Sequence, residues 1–280
     1  MVAEQTAKKA KIFNQAEIDA IINAKNELTR LAIKFVEFME KNINWDSVRV
    51  KGKLIELGFV FNREIFHFFI AGGYPAHLLN GTGADDIDIY FTSENHVKFW
   101  SWLYENIKIN GPNSFLTNDS ISISEQTNDY DKVKVRLSSN NQSHNVSVSQ
   151  NAISITSPDL EIKYQLITCF FGSPKLVINT FDMLHCKCYL EYSEMWIAPG
   201  QLYISREIFD AIKQKKMFFS DAVPATPLRV KKYFDKGYDF GEKYMFYPEY
   251  AIAPAISSQT KRLAIDAAVK KFINEGKNNV

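Results

Sequence analysis

At 280 residues, with 46% hydrophobic content and 21 Phe and 13 Tyr, the chain has ample apolar material for a buried core. Its 33 Lys and Arg against 32 Asp and Glu leave a formal charge of +1, which excludes an overall basic field for bulk nucleic-acid binding while leaving room for a local basic groove. No stretch approaches the roughly 18 consecutive apolar residues of a membrane span.

Lys8, Lys9 and Lys11 precede Ile12 and Phe13 without an apolar signal core. Cys169, Cys186 and Cys188 are odd in number and lack framework spacing. Cys186-Lys187-Cys188 has no second pair to complete a zinc site, so all three read as reduced thiols. The expected setting is cytoplasmic, in a bacterium or a virus-infected cell.

The first predicted element is a helix over residues 15–42, where Ile18, Ile21, Ile22, Leu28, Leu31, Ala32, Phe35, Phe38 and Met39 form an apolar stripe. A short helix is expected over 54–61 and a buried strand over 65–71. A Gly72-Gly73 turn follows, then a helix to Leu79, a loop at Gly81-Thr82-Gly83 and a strand ending near Phe91. Residues 96–107 read as an amphipathic helix, and the polar 109–150 stretch as exposed antiparallel strands. Further strands are expected over 151–156, 161–168 and 181–192, with a helix opened by Pro174 between the last two. The C-terminal third carries a basic helix over 208–219, a helix from Leu228 and a last helix over 258–275. This order predicts an α+β fold, a mixed α/β sheet with an N-terminal helix and a helical C-terminal part. Its expected division is a palm-like unit over 1–198 and a mainly helical region over 199–280.

Chemistry concentrates at the second strand. In Asp86-Ile87-Asp88-Ile89, residues two apart share a face, so both aspartates project together while Ile87 and Ile89 face the core. Adjacent carboxylates repel unless a cation lies between them. An all-oxygen pair suits Mg²⁺ or Mn²⁺, which take few protein carboxylates and complete their shell with substrate phosphates. Glycines at 72 and 73 let backbone N–H groups approach a phosphate at a helix start.

Ala71-Gly72-Gly73, twelve intervening residues (74–85) and Asp86-Ile87-Asp88-Ile89 resemble the signature of the polymerase-β-like nucleotidyltransferase superfamily. A second zone is similar to phage and viral members: Tyr164-Gln165-Leu166-Ile167, Gly172-Ser173-Pro174, Phe181-Asp182, Arg229-Val230-Lys231-Lys232-Tyr233 and Lys236-Gly237. The resemblance implies a nucleotidyltransferase palm and transfer of an NMP from an NTP, ATP among the candidates, to a hydroxyl on RNA, protein or a small molecule. Asp86 and Asp88 would be catalytic and would bridge two divalent ions. It also implies a third carboxylate on a neighbouring strand. Gln165 stands at the favoured position, so Asp182 is the preferred third ligand and Glu161 the alternative. Lys232 is expected to neutralise phosphates and Tyr233 to stack on base or ribose. Without a third acid, the alternative is an inactive nucleotide- or RNA-binding member of the fold.

The remaining candidates have plainer readings. Lys213, Lys215 and Lys216 read as a solvated basic face, with a nucleic-acid backbone as the alternative partner. His67 reads as a core histidine and His77 as a packed or surface residue. The aromatics Phe234, Tyr238, Phe240, Tyr244, Phe246 and Tyr247 read mostly as packing.

Overall fold

In a computed structural model, the protein is described over residues 12–42, 67–93, 122–126, 133–139, 142–148, 151–193, 200–220, 223, 225–241 and 257–277. The helices expected over 54–61 and 96–107, and Tyr244, Phe246 and Tyr247, lie outside them. Among the described residues no helix is long and apolar enough to cross a membrane.

The chain is α+β. Helix α1 (Gln15–Asn42) precedes β1 (Phe68–Ala71), α2 (Gly73–Asn80) and β2 (Asp86–Phe91). A run of strands follows: β3 (Ser122–Gln126), β4 (Val133–Ser139), β5 (Gln142–Val148), β6 (Ala152–Thr156) and β7 (Lys163–Phe171). Next come α3 (Pro174–Asn179), a single 3-10 turn (Leu184–Cys186), β8 (Tyr189–Tyr192) and β9 (Gln201–Tyr203). Helix α4 (Arg206–Lys213), β10 (Lys216–Met217), α5 (Pro227–Asp235), β11 (Asp239–Phe240) and α6 (Ser258–Lys277) complete the order.

The main sheet runs β3-β4-β5-β6-β7-β2-β1-β8-β9. The β2/β7 pair is parallel, and the other neighbours in this sheet are antiparallel. The sheet is therefore mixed, as the sequence predicts. Strand β9 lies beyond the expected boundary at residue 198 and pairs with β8.

Alternation along β2 divides its residues between two faces. Ile87, Ile89 and Phe91 pack with Leu28, Leu31 and Phe35 of α1 in the largest buried cluster, joined by Phe68, Tyr164, Leu166 and Tyr192. The α1 stripe does not bury along its whole length: Ile18 and Ile22 are exposed. The opposite face carries Phe69, Ala71 and Tyr90 under α3, with the Phe69 and Tyr90 rings stacked 5.1 Å apart. Asp86 and Asp88 belong to this second face by parity.

Between residues 181 and 192 only β8 is strand. The segment before it turns through the 3-10 helix, after Met183 makes an isolated bridge to Phe219. The basic helix expected over 208–219 ends at Lys213, because Lys215 takes a positive φ of 51° that breaks helical continuation.

Candidate active site

Asp86 and Asp88 stand where β2 meets the turn after β1. Antiparallel register sets Ala71 opposite Asp88, so the next residue, Gly72, falls directly against the Asp88 carboxylate. A Cβ on Gly72 would lie 2.8 Å from Asp88 Oδ2, and Gly72 has φ +91°. Both facts require glycine. Its N–H donates to the Cys186 carbonyl at 3.2 Å, so Gly72 makes room for Asp88 and offers no donor to a phosphate. That corrects half of the expected cradle. Gly73 and Tyr74 begin α2, where N–H groups lack intrahelical acceptors.

The far end of α2 is fixed by polar bonds. Asn80 accepts from Thr82 N–H (2.9 Å) and donates to the Ile212 carbonyl (3.1 Å) and the Tyr238 hydroxyl (2.7 Å). His77 bonds the Thr82 carbonyl through Nδ1 and is half-buried, a local structural role.

One cleft of about 310 Å³ gathers the residues that the sequence singled out. Gly72, Gly73, Asp86 and Asp88 line it beside Asp182, Lys232 and Tyr233. Arg229 and Lys236 add positive charge, and Tyr90, Phe170 and Phe181 add apolar wall. Burial and then the neighbouring Asp86 push the Asp88 carboxyl up to about 7, against the pull of Lys232, Arg229 and Lys163. A carboxylate pair placed this way is costly to charge without a cation. Its hard oxygens fit a divalent ion that completes its shell with phosphate and water.

A third acid does not join them simply. Gln165 is in register with Asp88 on β7, and an amide carries no charge. Asp182 lines the cleft but is buried, and its Oδ2 accepts from Arg229 Nε at 2.6 Å. It stands in the loop before the 3-10 turn rather than on a strand. Glu161 is exposed and paired with Arg30 and Lys34 of α1, and is not among the cleft's lining residues. Among the described residues no group of three or more His, Cys, Asp or Glu could hold a metal.

Tyr233 is buried, its hydroxyl 3.0 Å from Cys186 Sγ and its ring against His185 and Tyr238. It forms wall rather than the free stacking surface expected. Lys232 shows no ion pair among the described residues, whereas Lys231 turns away to Asp235 and Asp266. Lys236 reaches back to the Gly83 carbonyl at 2.5 Å, tying α5 to the loop before β2.

Other expectations resolve into packing. Lys213 donates to the Leu79 carbonyl and Lys216 pairs with Asp239. His67 is partly exposed and meets Glu191 at 3.3 Å, so it is no core residue. Among the described residues the buried histidine is His185, whose ring nitrogens have no hydrogen-bond partner there and whose pKa burial lowers to about 3. Cys186 and Cys188 enter different clusters of buried side chains.

Sequence reasoning missed Lys163, which pairs with Asp86 at 3.0 Å. Its signal was available: it alternates with Tyr164 and Leu166 as Gln165 does.

Comparison with known proteins returns one family. The profile of the Gabija anti-defense 2 family matches residues 32–215, about two thirds of the 280-residue chain. The match includes Gly72, Gly73, Asp86, Asp88 and Asp182 and stops before α5. No curated protein and no solved structure matches significantly.

Proposed function

The chain belongs to the Gabija anti-defense 2 family, and from the cleft it builds we propose that it is a metal-dependent nucleotidyltransferase with a palm of the polymerase-β-like kind. One observation supports this reading above the rest. A glycine turn, two carboxylates on one strand face and three cations from one helix region line the same cleft, although they come from distant parts of the chain. A nucleoside triphosphate needs those three elements together.

Asp86 and Asp88 hold Mg²⁺ or Mn²⁺, which when bound supplies charge neutralisation on the phosphates and lowers the pKa of the attacking hydroxyl. Gly72 keeps the Asp88 carboxylate close to the turn. The first N–H groups of α2 face the phosphate oxygens. Lys232 and Lys236 neutralise the pyrophosphate that leaves, while Asp182 fixes the orientation of Arg229. The family's name attaches its members to countering a defence. The acceptor hydroxyl, on RNA, protein or a small molecule, then belongs to that defence, and the protein works in the cytoplasm of the infected cell.

A second reading has its own support. With Gln165 beside Asp88 and Asp182 held by Arg229, the cleft can bind a nucleotide without transferring it. Purified protein with α-labelled NTPs, Mg²⁺ or Mn²⁺, and separate pools of RNA, protein extract and small-molecule acceptors decides between them. Label transfer that disappears in Asp86→Ala and Asp88→Ala establishes the enzyme. Nucleotide binding by calorimetry with no transfer in any pool establishes the binding protein. Neither binding nor transfer removes both.

A further inference from the structure

Strand β7 runs parallel to β2, and their register sets Lys163 beside Asp86 and Gln165 beside Asp88. Tyr164 and Leu166 are fully buried on the α1 side, so Lys163 and Gln165 share the face of the carboxylates. The Lys163 ammonium lies 3.0 Å from Asp86 Oδ2, with both side chains largely covered. An ammonium in that place takes an oxygen that a divalent ion needs.

The charges around the cleft are also matched. Asp85, Asp86, Asp88 and Asp182 face Lys163, Arg229, Lys232 and Lys236. A divalent ion arriving alone brings two further positive charges into a site where Lys163 and Arg229 already pair with Asp86 and Asp182. Arriving with a triphosphate, the same ion is part of a net anion, and the phosphates supply the ligands that the ion pair withholds.

We propose that Lys163 is a positioning residue that competes with the divalent cation for Asp86, so that the site admits metal together with the triphosphate rather than before it. This rests on the nucleotidyltransferase reading of the same cleft. The order of loading follows: metal and nucleotide enter as one complex, and Asp86 exchanges its ammonium partner for the ion as they bind.

The test is Mn²⁺ binding to the intact protein, followed by electron paramagnetic resonance of free Mn²⁺, without nucleotide and with a non-hydrolysable NTP analogue, the Mn²⁺ that the analogue holds by itself being subtracted from a protein-free control. Wild type is expected to bind Mn²⁺ weakly alone and much more tightly with the analogue. Lys163→Met should bind Mn²⁺ alone about fivefold more tightly than wild type, the scale of losing one partly covered ion pair. Lys163→Arg should behave as wild type, and in an Asp86→Asn background the Met substitution should change nothing. Lys163→Gln provides the same comparison if the Met variant does not fold by circular dichroism. Equal or weaker Mn²⁺ affinity in the folded neutral variants overturns the proposal while leaving the metal site standing. Absence of Mn²⁺ binding in wild type and every variant, with the analogue present, overturns the metal-site reading as well.

Discussion

Gly72 and Asp88 stand directly against each other in the cleft, and each constrains the other. Gly72→Ala places a Cβ 2.8 Å from Asp88 Oδ2 at a φ of +91°. The substitution should destabilise the fold by about 1–3 kcal/mol, read by chemical denaturation, and should remove transfer because the carboxylate must shift. Asp88 also carries a pH signature. Its folded pKa of about 7 lies above the usual carboxylate value near 3.9. The stability it contributes is therefore full below about pH 4 and is lost as pH rises through 7. In metal-free protein, Asp88→Asn should flatten that part of the stability–pH curve and exceed wild type at pH 8 by up to about 4 kcal/mol. Protons compete with metal at the same group, so Mn²⁺ affinity should fall about tenfold per pH unit below 7. A Mn²⁺ affinity equal at pH 5.5 and 8 would contradict this.

Helix α5 delivers the cations. Thr226 caps it by accepting from Arg229 N–H at 3.4 Å, and Pro227 occupies its first turn. From that start, Arg229, Lys232 and Tyr233 project toward the cleft, while Val230 packs under the helix. Lys231 faces the other way, toward Asp266 of α6. Arg229→Ala leaves buried Asp182 without its cation. The cost should be about 2 kcal/mol, below the 3–5 of a fully buried pair because Arg229 is 46% exposed. Thermal melts alongside nucleotide binding separate the two effects: Lys232→Ala should weaken nucleotide binding with little change in melting temperature, whereas Arg229→Ala should lower both.

At the scale of the whole molecule, the sheet divides labour between its faces. The α1 side is sealed by aromatic packing, with Tyr164 stacked on Phe35 and its hydroxyl donating to the Leu31 carbonyl. The opposite side keeps the cleft open and is closed by the C-terminal elements, whose core joins Val230, Tyr233, Tyr238 and Ile265. Glu161 marks the border between these sides. Arg30 and Lys34 hold it on the α1 side and keep its pKa near 2, below the usual carboxylate range. Glu161→Ala should leave transfer and Mn²⁺ binding unchanged. A loss of either would return Glu161 to the list of metal ligands.

Much of this was legible in the residues because the responsible interactions are local. The 28-residue α1 and the shared face of Asp86 and Asp88 follow from helical and strand periods, which need no knowledge of distant partners. The glycine pair and its spacing to the aspartates belong to one continuous segment. What failed depended on partners far along the chain. Tyr233 looked like a stacking surface until Cys186, 47 residues away, took its hydroxyl. Glu161 shared parity with Gln165 but was claimed by Arg30, 131 residues away. Asp182 lines the cleft as expected, yet its partner there is Arg229. Periodicity in the chain therefore determined which residues share a face. Only the tertiary arrangement decided which charges meet, through the packing of α1 against the sheet, α5 over its open side and the parallel register of β2 with β7, because pairing between remote side chains is set by tertiary distance.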